Sequence, residues 1–208
     1  MSFDHPWPAL EHAARQWPDA EALVFPHQQA RRSFAQVRAE ALALAGALDA
    51  RGLTRGDHVA LLAENRAEWA VVQLACAAAG FVFVPLNTHY RRDDLAYALK
   101  QSDSKALICS TQYRANPYLE NVTVLRPSLP LLAHVFTLEA DYPRLVAEGR
   151  SFTPVAPDPG AVAALLYTSG TTGFPKGALL SHRAMMMVAR NSAARLGLEP
   201  GSRWTSII

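Results

Sequence analysis

With 208 residues, half of them hydrophobic and 18% charged, the chain can bury a substantial core, and it falls outside disordered, collagen-like and disulfide-stapled compositions. A formal net charge of +2, from 20 basic and 18 acidic residues, gives no electrostatic case for a nucleic-acid partner. Arg31-Arg32 and Arg91-Arg92 are read as solvated loop or helix-start charges, and the length allows one domain or two.

The opening, MSFDHPWPALEHAARQ, lacks the basic-then-apolar order of a secretion signal, so a cytoplasmic protein is expected. Ser33 and Gln36 have capping-box spacing, and Val37, Ala41, Leu44, Ala45 and Leu48 share one face of a helix predicted to run until Gly52. GDHVALLAEN then predicts a turn and a short buried strand, Val59 to Ala63, with Glu64 and Asn65 in a strand-end turn. Between Trp69 and Tyr90 there is no Asp, Glu, Lys or Arg, close to the ~20 apolar residues of a membrane span. The stretch changes character at Gly80, from Ala-rich to β-branched and aromatic. The spacing therefore predicts a helix from near Arg66, stopped by Gly80, and a strand from Phe81 to Pro85.

RRDDLAYALKQSD predicts a helix and KALICS a strand. Pro117, Pro127 and Pro130 break the following segment into a short helix, a turn and a strand near His134 to Leu138. Ser151 to Gly160, with three prolines, reads as a surface connector, and AVAALLY as a buried strand. GSRWTSII looks like the opening of another strand; ending on two isoleucines, it suggests a chain cut short. Strands alternating with helices predict an α/β fold, a layered and largely parallel sheet with flanking helices. No internal repeat is visible. Cys76 and Cys109 sit in apolar surroundings without ligand spacing, as buried free thiols of a reducing compartment.

Between the last predicted strand and helix lies LLYTSGTTGFPKGALLSH. Gly170 and Gly173 can take positive φ, letting successive amides turn inward, and Thr168, Ser169, Thr171 and Thr172 add hydroxyl donors. Pro175 stops the segment continuing as helix, and Lys176 supplies a cation. Such donors match phosphate oxygens, although a polar surface loop would have the same composition. The spacing is not GxxxxGK[ST], because Pro175 precedes Lys176, and no GxGxxG is present. Ser181 is placed to cap the next helix; His182 is read as packing or solvent-facing rather than catalytic, and Met185, Met186 and Met187 as helix core rather than acyl contacts.

YTSGTTGFPKG, Tyr167 to Gly177, resembles the signature loop of the AMP-binding, adenylate-forming enzymes. GDHVALLAENRAEWAVVQLACAAAGFVFVPLN and RRDDLAYALKQSDSKALICS are similar to that family's upstream segments, closer to its acyl-CoA synthetases than to its peptide-synthetase branch. The resemblance covers essentially the whole chain and implies the front part, 1–208, of the large N-terminal domain. It implies that Thr168, Ser169, Gly170, Thr171, Thr172, Gly173 and Lys176 wrap the β- and γ-phosphates of ATP, and that Thr168 helps hold Mg2+. Lys176 could equally be a surface charge; Phe174 stands at a variable position, and Ala178 replaces a more usual valine. The implied reaction joins a carboxylic acid to AMP with loss of pyrophosphate, after which a thiol, usually that of coenzyme A, displaces AMP. A carrier-protein thiol as acceptor and a non-catalytic nucleotide-binding remnant remain alternatives. No catalytic residue is assignable in this stretch, nor is the acid. The rest of the family's machinery and its small mobile domain lie beyond these residues, so the chain alone is expected to be inactive and poorly soluble.

Overall fold

The computed structural model describes residues 3–149, 152–168 and 175–204. In chain order the elements are α1 (Pro6–Gln16), β1 (Glu21–Phe25), β2 (Ala30–Ser33), α2 (Phe34–Asp49), β3 (His58–Leu62), α3 (Ala67–Ala79), β4 (Val82–Pro85), α4 (Arg92–Gln101), β5 (Ser104–Cys109), α5 (Tyr118–Leu125), β6 (His134–Thr137), α6 (Asp141–Glu148), β7 (Val162–Thr168), β8 (Lys176–Ser181) and α7 (His182–Arg195). Strands β3 to β7 and β8 form one sheet in the order β6-β5-β3-β4-β7-β8. All its neighbours are parallel except β7 and β8, while β1 and β2 make a separate antiparallel hairpin.

Alternation along the strands divides the core in two. Val59 and Leu61 of β3, Phe83 of β4, and Ala106 and Ile108 of β5 face a cluster built with α1, α2, α3 and α6. Their neighbours Ala60, Leu62, Val82, Val84, Leu107 and Cys109 face the other way, onto Leu95, Ala98 and Leu99 of α4 and Tyr118 and Val122 of α5. Burial on both faces explains why these strands are almost continuously apolar. Cys76 and Cys109 are free, buried and on opposite faces. Burial pushes both thiols up, Cys109 to about 12, which leaves neither as a thiolate.

The capping box at the start of α2 is present in both directions: the Gln36 amide donates to Ser33 Oγ at 3.3 Å, and the Ser33 amide to Gln36 Oε1 at 2.8 Å. The helix ends at Asp49, short of Gly52, which closes the turn that follows. Gly80 ends α3 in the left-handed region at φ 70°, its amide donating to the Cys76 carbonyl. Among the described residues no helix is long and apolar enough to cross a membrane. A Cβ on Gly80 would stand 3.0 Å from Arg55 Cγ and 3.2 Å from Val155 Cγ2. Gly80→Ala is therefore expected to lower unfolding free energy by about 1–2 kcal/mol; urea titration measures this, and an unchanged midpoint would refute the strain.

Five features add to or depart from the sequence expectation. Helix α1 forms although Pro6 and Pro8 head it, because its first turn needs no intrahelical donor. The β1–β2 hairpin turns at Gln29, left-handed at φ 51°, without the usual glycine. Helix α6 is an addition, and Lys176 to Ser181 is a strand, so the sheet turns antiparallel at that edge. Residues 201–204 carry no strand, and 205–208 lie outside the described residues.

Arg31 pairs with Glu21, and Arg32 with Glu40 at 2.6 Å. The second pair starts α4, where the Arg91 amide donates to Asp94 Oδ2 at 3.0 Å and Arg92 Nε to Asn121 Oδ1 at 3.2 Å.

Candidate functional site

Strand β7 runs parallel to β4, with Phe83 opposite Ala164, so Thr168 leaves the sheet on the carboxyl edge, where ligands gather in open α/β sheets. From there the chain turns and comes back as β8, Thr168 standing opposite Lys176. Both predicted end residues of the loop are exposed. Thr168 Oγ1 donates to the Lys176 carbonyl at a long 3.4 Å, and its oxygen keeps lone pairs for a further partner. Lys176 makes no ion pair among the described residues. Ser169, Gly170, Thr171, Thr172, Gly173 and Phe174 lie outside the described residues, so the structure brings together only the two ends of the predicted set.

The stems of this turn are held from one side by α4. Tyr97 on that helix donates from its hydroxyl to the Pro175 carbonyl at 3.1 Å. The Tyr167 hydroxyl, on β7, lies 2.8 Å from the Ala98 carbonyl and 2.6 Å from Gln101 Oε1. Burial pushes that phenol up to about 12, so it stays protonated as a donor. Sequence reasoning missed Tyr97 and Gln101; no local signal marks them, because their partners are far away in the chain.

The loop after β4 lies on the same edge. Tyr118 donates to the Thr88 carbonyl at 2.7 Å, Asn116 Nδ2 to the Tyr90 carbonyl at 2.8 Å, and the His89 amide to Asn87 Oδ1 at 2.9 Å. Further along, the outgoing chains of β3 and β5 turn to opposite faces, and a polar network fills the crevice between them. Arg66, 12% exposed at its side chain, reaches Glu68 at 3.0 Å, Glu139 at 2.9 Å and Glu64 at 3.4 Å. Ser110 Oγ donates to Glu64 at 2.8 Å, and the Thr111 amide to Glu139 at 3.0 Å. Burial works to raise the Glu68 carboxyl, but hydrogen bonds from Arg66 and Gln28 outweigh it and hold it below the usual range. Glu64 thus belongs to a clamp tying three strand ends together rather than to a simple turn. Among the described residues no cluster of His, Cys, Asp or Glu could hold a metal ion.

His182 follows Lys176 closely in sequence but not in space. It sits past the far end of β8, where Ser181 pairs with Val162, about 17 Å of strand from Lys176. Ser181 caps α7 as expected, accepting from the Ala184 amide at 3.2 Å. The His182 ring is buried against His5, centroids 3.8 Å apart, and its Nδ1 has no partner among the described residues. It is a packing residue. Met185 packs against the core, whereas Met187 is exposed.

A mostly parallel sheet covered by helices on both faces, with Thr168 and Lys176 side by side at its carboxyl edge, defines an α/β protein of the kind found in adenylate-forming N-terminal domains. The comparisons agree: the family model described as AMP-binding enzyme matches residues 10–208, and the chain belongs to that family. It is 34% identical to YngI of Bacillus subtilis over 93% of this chain and 40% of that protein. It is 32% identical to the mitochondrial medium-chain acyl-CoA ligase ACSF2 of Bos taurus, over 91% of this chain and 35% of that one. Among solved structures, ATP-bound MatB of Rhodopseudomonas palustris superposes with a TM-score of 0.72 at 31% identity, covering 82% of this chain and 34% of that one. The inhibitor-bound N-terminal domain of FACL13 from Mycobacterium tuberculosis gives 0.78 at 27% identity, covering 86% and 45%. The chain thus spans about two fifths or less of the curated relatives' length.

Proposed function

We propose that this chain supplies the phosphate-holding part of an ATP-dependent acid:CoA ligase. The reading rests on one observation: Tyr167 and Pro175, which flank the Gly/Ser/Thr-rich segment 169–174, are held by α4 at the carboxyl edge of the sheet. Amide and hydroxyl hydrogens of Thr168 to Gly173 would take the β- and γ-phosphate oxygens of ATP, and exposed Lys176 would add a charge beside them. The lone pairs of Thr168 would suit a magnesium ion, and among the described residues no cluster of His, Cys, Asp or Glu offers a separate cation site. Bound there, Mg2+ would offset charge moving onto pyrophosphate. The donors of the loop favour the same departing group, so the chain stabilises a leaving group rather than supplying a nucleophile or base.

In a polypeptide of the relatives' length, this loop would serve the activation of a carboxylic acid to acyl-AMP and then, with coenzyme A, to acyl-CoA. The names of similar proteins, a medium-chain acyl-CoA ligase and a fatty acyl CoA synthetase, favour a fatty or related acid. The free buried thiols fit the cytoplasm as its compartment. Residues 1–208 by themselves bind nucleotide without turning it over.

Calorimetric titration of the chain with MgATP tests the loop. Changing Ser169, Thr171 and Thr172 together to alanine is expected to weaken binding about 30-fold, the worth of two or three net hydrogen bonds. Equal affinity of the two proteins would refute the assignment.

A further inference from the structure

We propose that Tyr97 is a positioning residue for the phosphate loop, fixing the point where that loop re-enters the sheet by donating its hydroxyl hydrogen to the Pro175 carbonyl. The inference rests on the reading of the loop as an ATP-phosphate site. Pro175 has no amide hydrogen, so its carbonyl is the one main-chain hydrogen-bonding group this residue can offer, and Tyr97 takes it at 3.1 Å. The next residue of α4, Ala98, engages the other stem, its carbonyl lying 2.8 Å from the Tyr167 hydroxyl. Two consecutive helix residues thus hold both stems, one through its side chain and one through its main chain. The packing beneath leaves little freedom. A Cβ on Gly177 would stand 3.0 Å from Leu165 Cδ2 and 3.4 Å from Gln101 Oε1, so β8 runs close over β7 and the end of α4.

A loop that cradles polyphosphate with main-chain amides depends on where its ends are fixed, because convergent donors lose strength quickly when their directions drift. Tyr97 acts on the site through Pro175. Losing its hydroxyl leaves the ring in place and the core intact, while freeing one stem.

The test uses magnesium tripolyphosphate, which presents the phosphate chain without the nucleoside, and compares the chain with its Y97F, Y167F and S169A/T171A/T172A variants. Y97F is expected to weaken binding on the order of fivefold, the loss of one hydrogen bond. It should also speed amide exchange at Lys176 and Gly177 while exchange in β3 and the thermal midpoint stay put. Y167F should act in the same direction. Unchanged tripolyphosphate affinity in Y97F, beside weakened binding in the triple variant, would overturn the role of Tyr97 alone. Faster exchange throughout the sheet would reduce Tyr97 to a general stability residue and also overturn it. Unchanged affinity in the triple variant would remove the phosphate-loop reading, and this inference with it.

Discussion

Replacing Arg66 with methionine is expected to cost about 3 kcal/mol of unfolding free energy at pH 7, because a mostly buried guanidinium would vanish from among three carboxylates. Glu68, Glu139 and Glu64 all lie within 3.4 Å of it. Methionine fills much of the volume, so the loss reports charge rather than a cavity. The pH dependence has a definite sign. In the native chain Glu68 titrates below its ordinary 4.5, which adds stability above that value and loses it as pH falls through the folded value. Without Arg66 only the Gln28 and main-chain hydrogen bonds are left to offset the burial that pushes Glu68 up, so protonation relieves the variant. The gap between the two proteins should be full at pH 7 and narrow as pH falls towards the ordinary carboxylate range. Urea titrations across that range measure it, and a gap under 1 kcal/mol at pH 7 would contradict the network's structural role. R66K, keeping the charge but losing the forked geometry, should fall between.

The second large effect is acid destabilisation through His5. Its ring is 5% exposed, stacks on His182, and accepts from the Trp7 amide at 3.2 Å as the cap of α1. Burial chiefly, and then the neighbouring His182, push its pKa down to about 4, against a smaller upward pull from Asp158. His182 shifts the same way, chiefly through burial. The charged groups Asp4, Arg183 and Arg190 also meet here, Arg190 reaching Asp4 at 2.6 Å. A folded pKa below the unfolded 6.5 means the unfolded chain binds protons first as pH falls. Stability is therefore full above 6.5, declines below it, and stops declining from this source near 4. His5 alone should account for about 2 kcal/mol between pH 7 and pH 5, and about 3 by pH 4. Asn can keep the cap without titrating, so H5N should flatten the profile. If native and H5N proteins lose stability in parallel between pH 7 and pH 5, the imidazole is not the source.

What could be read from residue order was what local chemistry specifies. Gly80, Ser33 and Ser181 punctuate helices by conformational freedom or a capping oxygen, and strands buried on both faces announce themselves by composition. Strand β8 does not: KGALLS owes its conformation to pairing with β7, which composition does not encode. The loop's residue types suggested phosphate, but the tyrosines supporting it were invisible, since Tyr97 and Pro175 are 78 residues apart. His182, read as a packing or solvent-facing residue, does pack, buried against His5 with a whole strand between it and Lys176.

Those wide separations also bear on biosynthesis. Both stems are tied to α4, across 78 and 69 positions, and such closures carry an entropic cost that nearest-neighbour helix and strand contacts do not. A nascent chain can pair β3 with β4 and β5 as each emerges, yet the two stems at the carboxyl edge have no fixed frame until residues past Pro175 have left the ribosome and swung back across the sheet.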